Sequence, residues 1–198
     1  MTEPLRGVTA VILAGGRGRR MGGADKGLIP WRGRPLVDHL IDALTPQVVE
    51  VIINANRNRS EYARRGWPVV ADTLSGFPGP LAGILAAMTA ARTPLLLTVP
   101  CDAPRVPPDL AVRLFHALNS AEAEVAVAHD GRRLQAAHAL MRTALRDDLE
   151  RMLAGGERRL TDWLESRRLV TVDFSDHPLA FLNLNRPEDL QELDTAAS

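Results

Sequence analysis

The chain has 198 residues, and its 24 basic and 24 acidic side chains give a formal net charge of +0. That length suits a single domain, 1–198, able to bury about 70 % of its unfolded surface, and 45 % hydrophobic with 24 % charged residues is an ordinary globular composition. The even charge balance argues against a protein that coats nucleic acid, and the lone Cys101 permits no internal disulfide and fits a reducing compartment.

The N-terminal MTEPLRGVTAVIL has too short an apolar run for a signal peptide or a membrane span, so a cytoplasmic protein with no membrane association is expected. A strand is predicted at Val8–Leu13. The loop after it carries Gly15, Gly16, Gly18, Gly22 and Gly23, with Arg17, Arg19, Arg20 and Lys26 among them. Glycines let backbone N–H groups close on a ligand, and the cations oppose phosphate charge. This is the composition of a triphosphate cradle. It is not a P-loop, because Lys26 is followed by Gly27 rather than Ser or Thr, and three residues separate Gly18 from Gly22 where a dinucleotide fingerprint has two.

Apolar residues at Leu36, Leu40, Ile41 and Leu44 predict a helix. A strand follows at Val48–Asn54, leading to Asn54 and Asn56, and another at Val69–Ala71, leading to Asp72. The loop TLSGFPGP then introduces a helix at Leu81–Ala91. Pro94–Val99 is apolar enough for a central strand covered on both faces, and it delivers Pro100-Cys101-Asp102. Beyond it, Leu110, Leu114 and Leu118 mark a helix, Glu124–Ala128 a strand, and Asp130-Gly131 a hairpin turn into LQAAHAL. Helical spacing is also read through Met141, Leu145, Leu149 and Met152. Short strands are expected at Leu169–Phe174 and Phe181–Leu184, then a last helix from Pro187.

Such alternation predicts an α/β fold: a Rossmann-like, doubly wound, mostly parallel sheet with helices on both faces. Ligands bind at the carboxyl ends of such strands. Asp102, released from the apolar strand into a phosphate site, is a natural Mg²⁺ ligand, since magnesium takes one or two carboxylates and completes its shell with phosphate and water. A carboxylate at Asp72 can accept from both N1–H and the 2-amino group of guanine, and Asn54 can add an amide contact to base or ribose. Cys101 reads as a small buried side chain. His39, His116, His129 and His138 read as structural or exposed, whereas His177, beside Asp176, can reach the rim. The segment Gly156 to Arg159 offers Arg158 and Arg159 to a second anion or caps a helix, and Asn183 and Asn185 flank a strand end.

Taken together, LAGGRGRRMGGADKGL, VIINANR, PGPLAGIL, PCDAP with PPDL, GERR, VDFSDH and FLNLNRPEDL resemble the molybdenum cofactor guanylyltransferases, from Val11 to Leu190. One departure is RRLQAAHALM, where members often carry a proline-containing stretch; it touches Gln135 to His138. The resemblance implies a nucleotidyltransferase fold and a GTP site at Leu13, Ala14, Gly15, Lys26, Asn54, Asp72 and Asp102, with Mg²⁺ on Asp102. It implies transfer of GMP from GTP to the terminal phosphate of molybdopterin, the molybdenum cofactor, with release of pyrophosphate. In that reaction Gly15 and Gly16 would cradle phosphate, and Arg19 and Lys26 would offset charge on the leaving pyrophosphate. The GTP half would span about 8–105 and the acceptor half about 106–190. A monomer is expected, with handover of a labile product to molybdenum-insertion proteins or molybdoenzyme chaperones. Candidates for pterin contact are Arg158, Arg159, His177, Asn183 and Asn185. The competing readings are a molybdopterin cytidylyltransferase, a sugar-1-phosphate nucleotidyltransferase and a non-catalytic nucleotide sensor.

Overall fold

The structure is a computed structural model and describes residues 3–16, 25–73, 79–156, 158–184 and 189. The cations and glycines of 17–24, the loop residues 74–78, Asn185 and all of the expected last helix except Asp189 lie outside the described residues.

In chain order the elements are β1 (Leu5–Leu13), β2 (Pro30–Trp31), β3 (Arg34–Pro35), α1 (Leu36–Leu44), β4 (Val48–Asn54), α2 (Arg59–Ala63), β5 (Val69–Val70) and α3 (Pro80–Ala90). They continue as β6 (Leu95–Pro100), α4 (Leu110–Ser120), β7 (Val125–His129), β8 (Leu134–Arg142), α5 (Arg146–Ala154), α6 (Leu160–Glu165) and β9 (Leu169–Asp173). Among the described residues, seven strands form one sheet in the order β5-β4-β1-β6-β8-β7-β9. All neighbours pair in parallel except β8, which runs antiparallel to both β6 and β7.

Helices cover both faces, as the alternation of elements requires. Val8, Ala10 and Ile12 of β1 pack with Val37, Leu40 and Leu44 of α1, Tyr62 of α2 and Leu110 and Leu114 of α4. On the other face Val11, Ile52 and Leu96 pack with Ile84 and Met88 of α3, Leu149 of α5 and Trp163 of α6. Residues 81–88 of α3 are all buried, which is why that helix carries no polar stripe. Pro80 opens it, where a missing N–H costs nothing, and Gly79 before it adopts φ 149°, a conformation closed to other residues.

Two expectations fail here. Met141 is not part of a helix. It lies in β8, paired with Leu96 on one side and Val125 on the other, and α5 begins only after a 3₁₀ turn at Thr143–Leu145. Its spacing to Leu145 is helical by coincidence, and two ladders of backbone hydrogen bonds outweigh it. Phe181–Leu184 is likewise no strand. Phe181 and Leu184 are buried as anchors of an irregular segment, and the Leu184 N–H donates to the Asp102 carbonyl at 2.7 Å. A second sheet, the hairpin β2–β3, turns through Arg32 (φ 49°) and Gly33 (φ 77°) and has no counterpart in the sequence reading.

Candidate active site

The order of strands sets the position of the site. β1 lies between β4 and β6, and the register places Leu13 level with Asn54 on one side and Pro100 on the other. The ladder extends one step further, with Ala14 N–H on the Asn54 carbonyl (2.8 Å) and Cys101 N–H on the Leu13 carbonyl (3.1 Å). The loop after β1 therefore leaves the sheet flanked by Asn54 and Asp102, at the point where connections diverge to either side.

Lys26, returning from the glycine loop, reaches Asp102 across that gap. Its Nζ donates to Oδ2 at 2.8 Å, and both side chains are about one-fifth exposed, at 20 % and 21 %. The Asp102 Oδ1 accepts no hydrogen bond from the described residues and stays available. No group of three or more potential metal ligands exists among the described residues. A single partly exposed carboxylate suits a cation whose remaining ligands are phosphate and water, so the donor set fits Mg²⁺.

On the β4 side the three polar residues form one unit. The Asp72 Oδ1 accepts from Asn54 Nδ2 at 2.9 Å, and Oδ2 accepts from Asn56 Nδ2 at 2.8 Å. Asn56 Oδ1 in turn accepts the Asp72 backbone N–H at 2.9 Å. Asp72 thus acts as a bridge between two amides, a role that the sequence reading gave it no part in. A carboxylate offers about four lone-pair sites, so two remain for a base. Asn56, which the sequence places at the rim without assigning it a contact, is thus part of the same unit as Asn54 and Asp72.

Close approach explains the glycines nearby. A Cβ on Gly15 would lie 3.0 Å from both Asn54 Oδ1 and Asn56 Nδ2, and a Cβ on Gly83 of α3 would lie 2.3 Å from Asn54 Oδ1. Gly16 has open space around it, and its carbonyl accepts from Arg57 at 3.4 Å. Arg19 lies outside the described residues.

Among the acceptor-side candidates, Arg158, Arg159, His177 and Asn183 fall within the described residues and Asn185 lies outside them. Exposed Asn183 adjoins Leu184, whose N–H holds the Asp102 backbone. The Arg158 carbonyl faces the start of α3, 3.9 Å from where a Gly79 Cβ would be, and Arg159 pairs with Asp162 at 3.4 Å. His177 belongs to a cluster at the first turn of α4, 3.6 Å from Asp109 Oδ1 and 3.7 Å from Asp176 Oδ2. Arg113 ties that cluster together, pairing with Asp176 at 2.9 Å and lying 4.0 Å over the Phe174 ring. His39 is structural, bonded to the Trp31 carbonyl at 2.9 Å. Burial pushes the Cys101 thiol well above its ordinary range, which agrees with a core side chain and not a nucleophile.

Residues 10–171 match the family described as MobA-like NTP transferase domain. The chain belongs to this family. It is 48 % identical over 189 residues to the molybdenum cofactor guanylyltransferase of Shewanella loihica, covering 96 % of each chain. The enzyme of the same name from Shewanella woodyi is also 48 % identical over 189 residues, again covering 96 % of each. In three dimensions the chain resembles molybdopterin-guanine dinucleotide biosynthesis protein A from Archaeoglobus fulgidus, with a TM-score of 0.79 at 23 % identity, covering 96 % of this chain and 98 % of that one. The protein is therefore a nucleotidyltransferase enzyme of the molybdenum cofactor guanylyltransferase type. Enzymes of this class work with a divalent metal ion. No helix among the described residues is long and apolar enough to cross a membrane.

Proposed function

We propose that the cleft at the carboxyl ends of β4, β1 and β6 joins the GMP portion of GTP to the terminal phosphate of molybdopterin and releases pyrophosphate. The observation that carries this is the Lys26–Asp102 pair at 2.8 Å, a cation and a carboxylate 76 positions apart brought to one strand end beside the glycine loop. The acceptor phosphate attacks the α-phosphorus in line, forming one P–O bond as the bond to pyrophosphate breaks. Its second pKa is about 6, so it is largely dianionic near pH 7 and needs no general base. Bringing two unit anions to 4 Å costs roughly 4 kcal/mol at an effective dielectric of 20, so positioning and neutralisation carry the catalysis.

Lys26 and Arg19 offset the charge that gathers on the departing pyrophosphate, and backbone groups of Leu13, Ala14, Gly15 and Gly16 line the phosphates. Asp102 would hold Mg²⁺, which would supply Lewis-acid charge during phosphoryl transfer. Asp72, braced by the buried Asn54 and by Asn56, reads the guanine. The chain works in the cytoplasm as a monomer, from about 8–105 for GTP and 106–190 for the acceptor, and passes its product to a molybdenum-insertion protein or molybdoenzyme chaperone.

Thermal shift with GTP, CTP and ATP, each with Mg²⁺, tests the nucleotide. Saturation at 100 times Kd stabilises by about 2.7 kcal/mol, or roughly 5–11 °C for a domain of this size. A shift confined to GTP, followed by pyrophosphate release that requires molybdopterin, supports guanylyl transfer. A preference for CTP moves the protein to cytidylyl transfer, and GTP binding without turnover makes it a sensor.

A further inference from the structure

The residue before Lys26 is held with unusual completeness. Asp25 Oδ1 accepts the Tyr62 hydroxyl at 2.5 Å, and Oδ2 accepts Asn58 Nδ2 at 3.0 Å. Both donors come from α2 and its cap, which connect β4 to β5 along the chain and take no part in the cleft described above. Tyr62 is fully buried, and burial together with Asp25 raises its pKa, so the phenol stays a donor. The residue after Lys26 is fitted to the same hydroxyl: a Cβ on Gly27 would lie 2.5 Å from the Tyr62 oxygen. Asn58 is set at φ 49°, the left-handed conformation, at the start of α2.

Lys26 is therefore clamped on both sides in sequence. Asp25 is pinned by two donors, Gly27 is laid against the ring that supplies one of them, and Nζ meets Asp102 at 2.8 Å. A carboxylate accepting hydrogen bonds through both oxygens has a fixed plane, and that fixes where the next residue's side chain starts. We infer that Tyr62 and Asn58 are positioning residues for Lys26. They act through Asp25 and set the reach of the ammonium to the phosphates. The inference rests on the role proposed above for Lys26.

The test is a double-mutant cycle on pyrophosphate release, with GTP, Mg²⁺ and molybdopterin. Tyr62→Phe keeps the ring and removes only the donor. Because a misplacement of the order of 1 Å can cost about a hundredfold in rate, the expected loss in kcat is about tenfold or more, with the GTP KM changed less. In a Lys26→Ala background the same substitution is expected to leave kcat unchanged, since there is no ammonium left to place. An equal loss in both backgrounds, or wild-type kcat in Tyr62→Phe alone, overturns the inference. Asn58→Gly gives a second arm should the buried substitution compromise folding. Glycine keeps the left-handed backbone at an exposed position and deletes the other donor, and the same non-additivity with Lys26→Ala is expected. Lys26→Ala with wild-type turnover would instead defeat the site assignment itself, independently of Tyr62.

Discussion

Gly83 leaves the space that the Asn54 side chain occupies. A Cβ at position 83 would lie 2.3 Å from Asn54 Oδ1 and 2.8 Å from its Cγ, while the other end of the same amide is held by Asp72 at 2.9 Å. Asn54 is 2 % exposed and has nowhere to retreat. In an ordinary helix Gly→Ala gains about 1 kcal/mol. At Gly83 the gain is spent on displacing Asn54. Gly83→Ala is expected to weaken GTP binding about tenfold, measured by titration calorimetry, and to lose discrimination between nucleotides more than it loses thermal stability.

Lys26→Ala separates chemistry from folding. The Lys26–Asp102 pair is partly exposed, so its contribution to stability is about 1 kcal/mol or less, equivalent to no more than about 4 °C in Tm. Removal of a positioned cation from a phosphoryl-transfer site is expected to lower kcat by about a hundredfold or more. Parallel measurement of melting and turnover decides between the roles. A large loss of Tm alongside the rate makes Lys26 structural.

Asp72→Asn bears on base recognition. The new amide keeps one acceptor oxygen and turns an NH₂ group toward one of Asn54 and Asn56, both of which donate to this side chain. It also loses an acceptor for guanine. Sites that read a hydrogen-bonding edge lose discrimination steeply when one partner is removed, so kcat/KM for GTP relative to ATP is expected to fall about tenfold or more. An unchanged ratio would show that Asp72 only braces the two asparagines.

His138 makes stability depend on pH. It is 1 % exposed, 4.9 Å from the Phe181 ring, and neither ring nitrogen has a partner among the described residues. Burial lowers its pKa to about 3, against an unfolded value near 6.5. The unfolded chain therefore takes up a proton as pH falls below 6.5 while the folded chain does not. Stability is fully present above that pH and is lost progressively toward pH 3. Between pH 7.5 and 5.5 the loss from this group is about 1.4 kcal/mol, or about 3–6 °C. His138→Leu is expected to remove that part of the Tm decline, as followed by calorimetry at the two pH values.

The parallel half of the fold was legible because its signals are local. Val8–Leu13, Val48–Asn54 and the apolar run before Cys101 are largely apolar strands, with Thr9, Glu50 and Thr98 as their polar interior residues, and each leads to a residue that the structure places on the rim: Leu13, Asn54 and, two positions past Pro100, Asp102. The second half was less so. Met141 carries the right spacing for a helix and the right pairing for a strand, and only its neighbours Leu96 and Val125 decide between them. Phe181 and Leu184 look like strand residues because they are apolar, yet no ladder buries them: Phe181 packs into the core beside β1, and Leu184 packs against Trp31 and Leu36.

The sequence by itself determined the strand ends, the glycine loop with its cations, and the chemical types of side chain offered to a ligand. These follow from residue identity and spacing along one stretch of chain. Tertiary structure decided the relationships between stretches: that Lys26 meets Asp102, that Asp72 bridges Asn54 and Asn56, that Tyr62 holds Asp25, and that Gly83 makes room for Asn54. Hydrogen bonds and close contacts act over about 3 Å, and residues tens of positions apart come within that range only when the sheet sets its order and the helices pack against it.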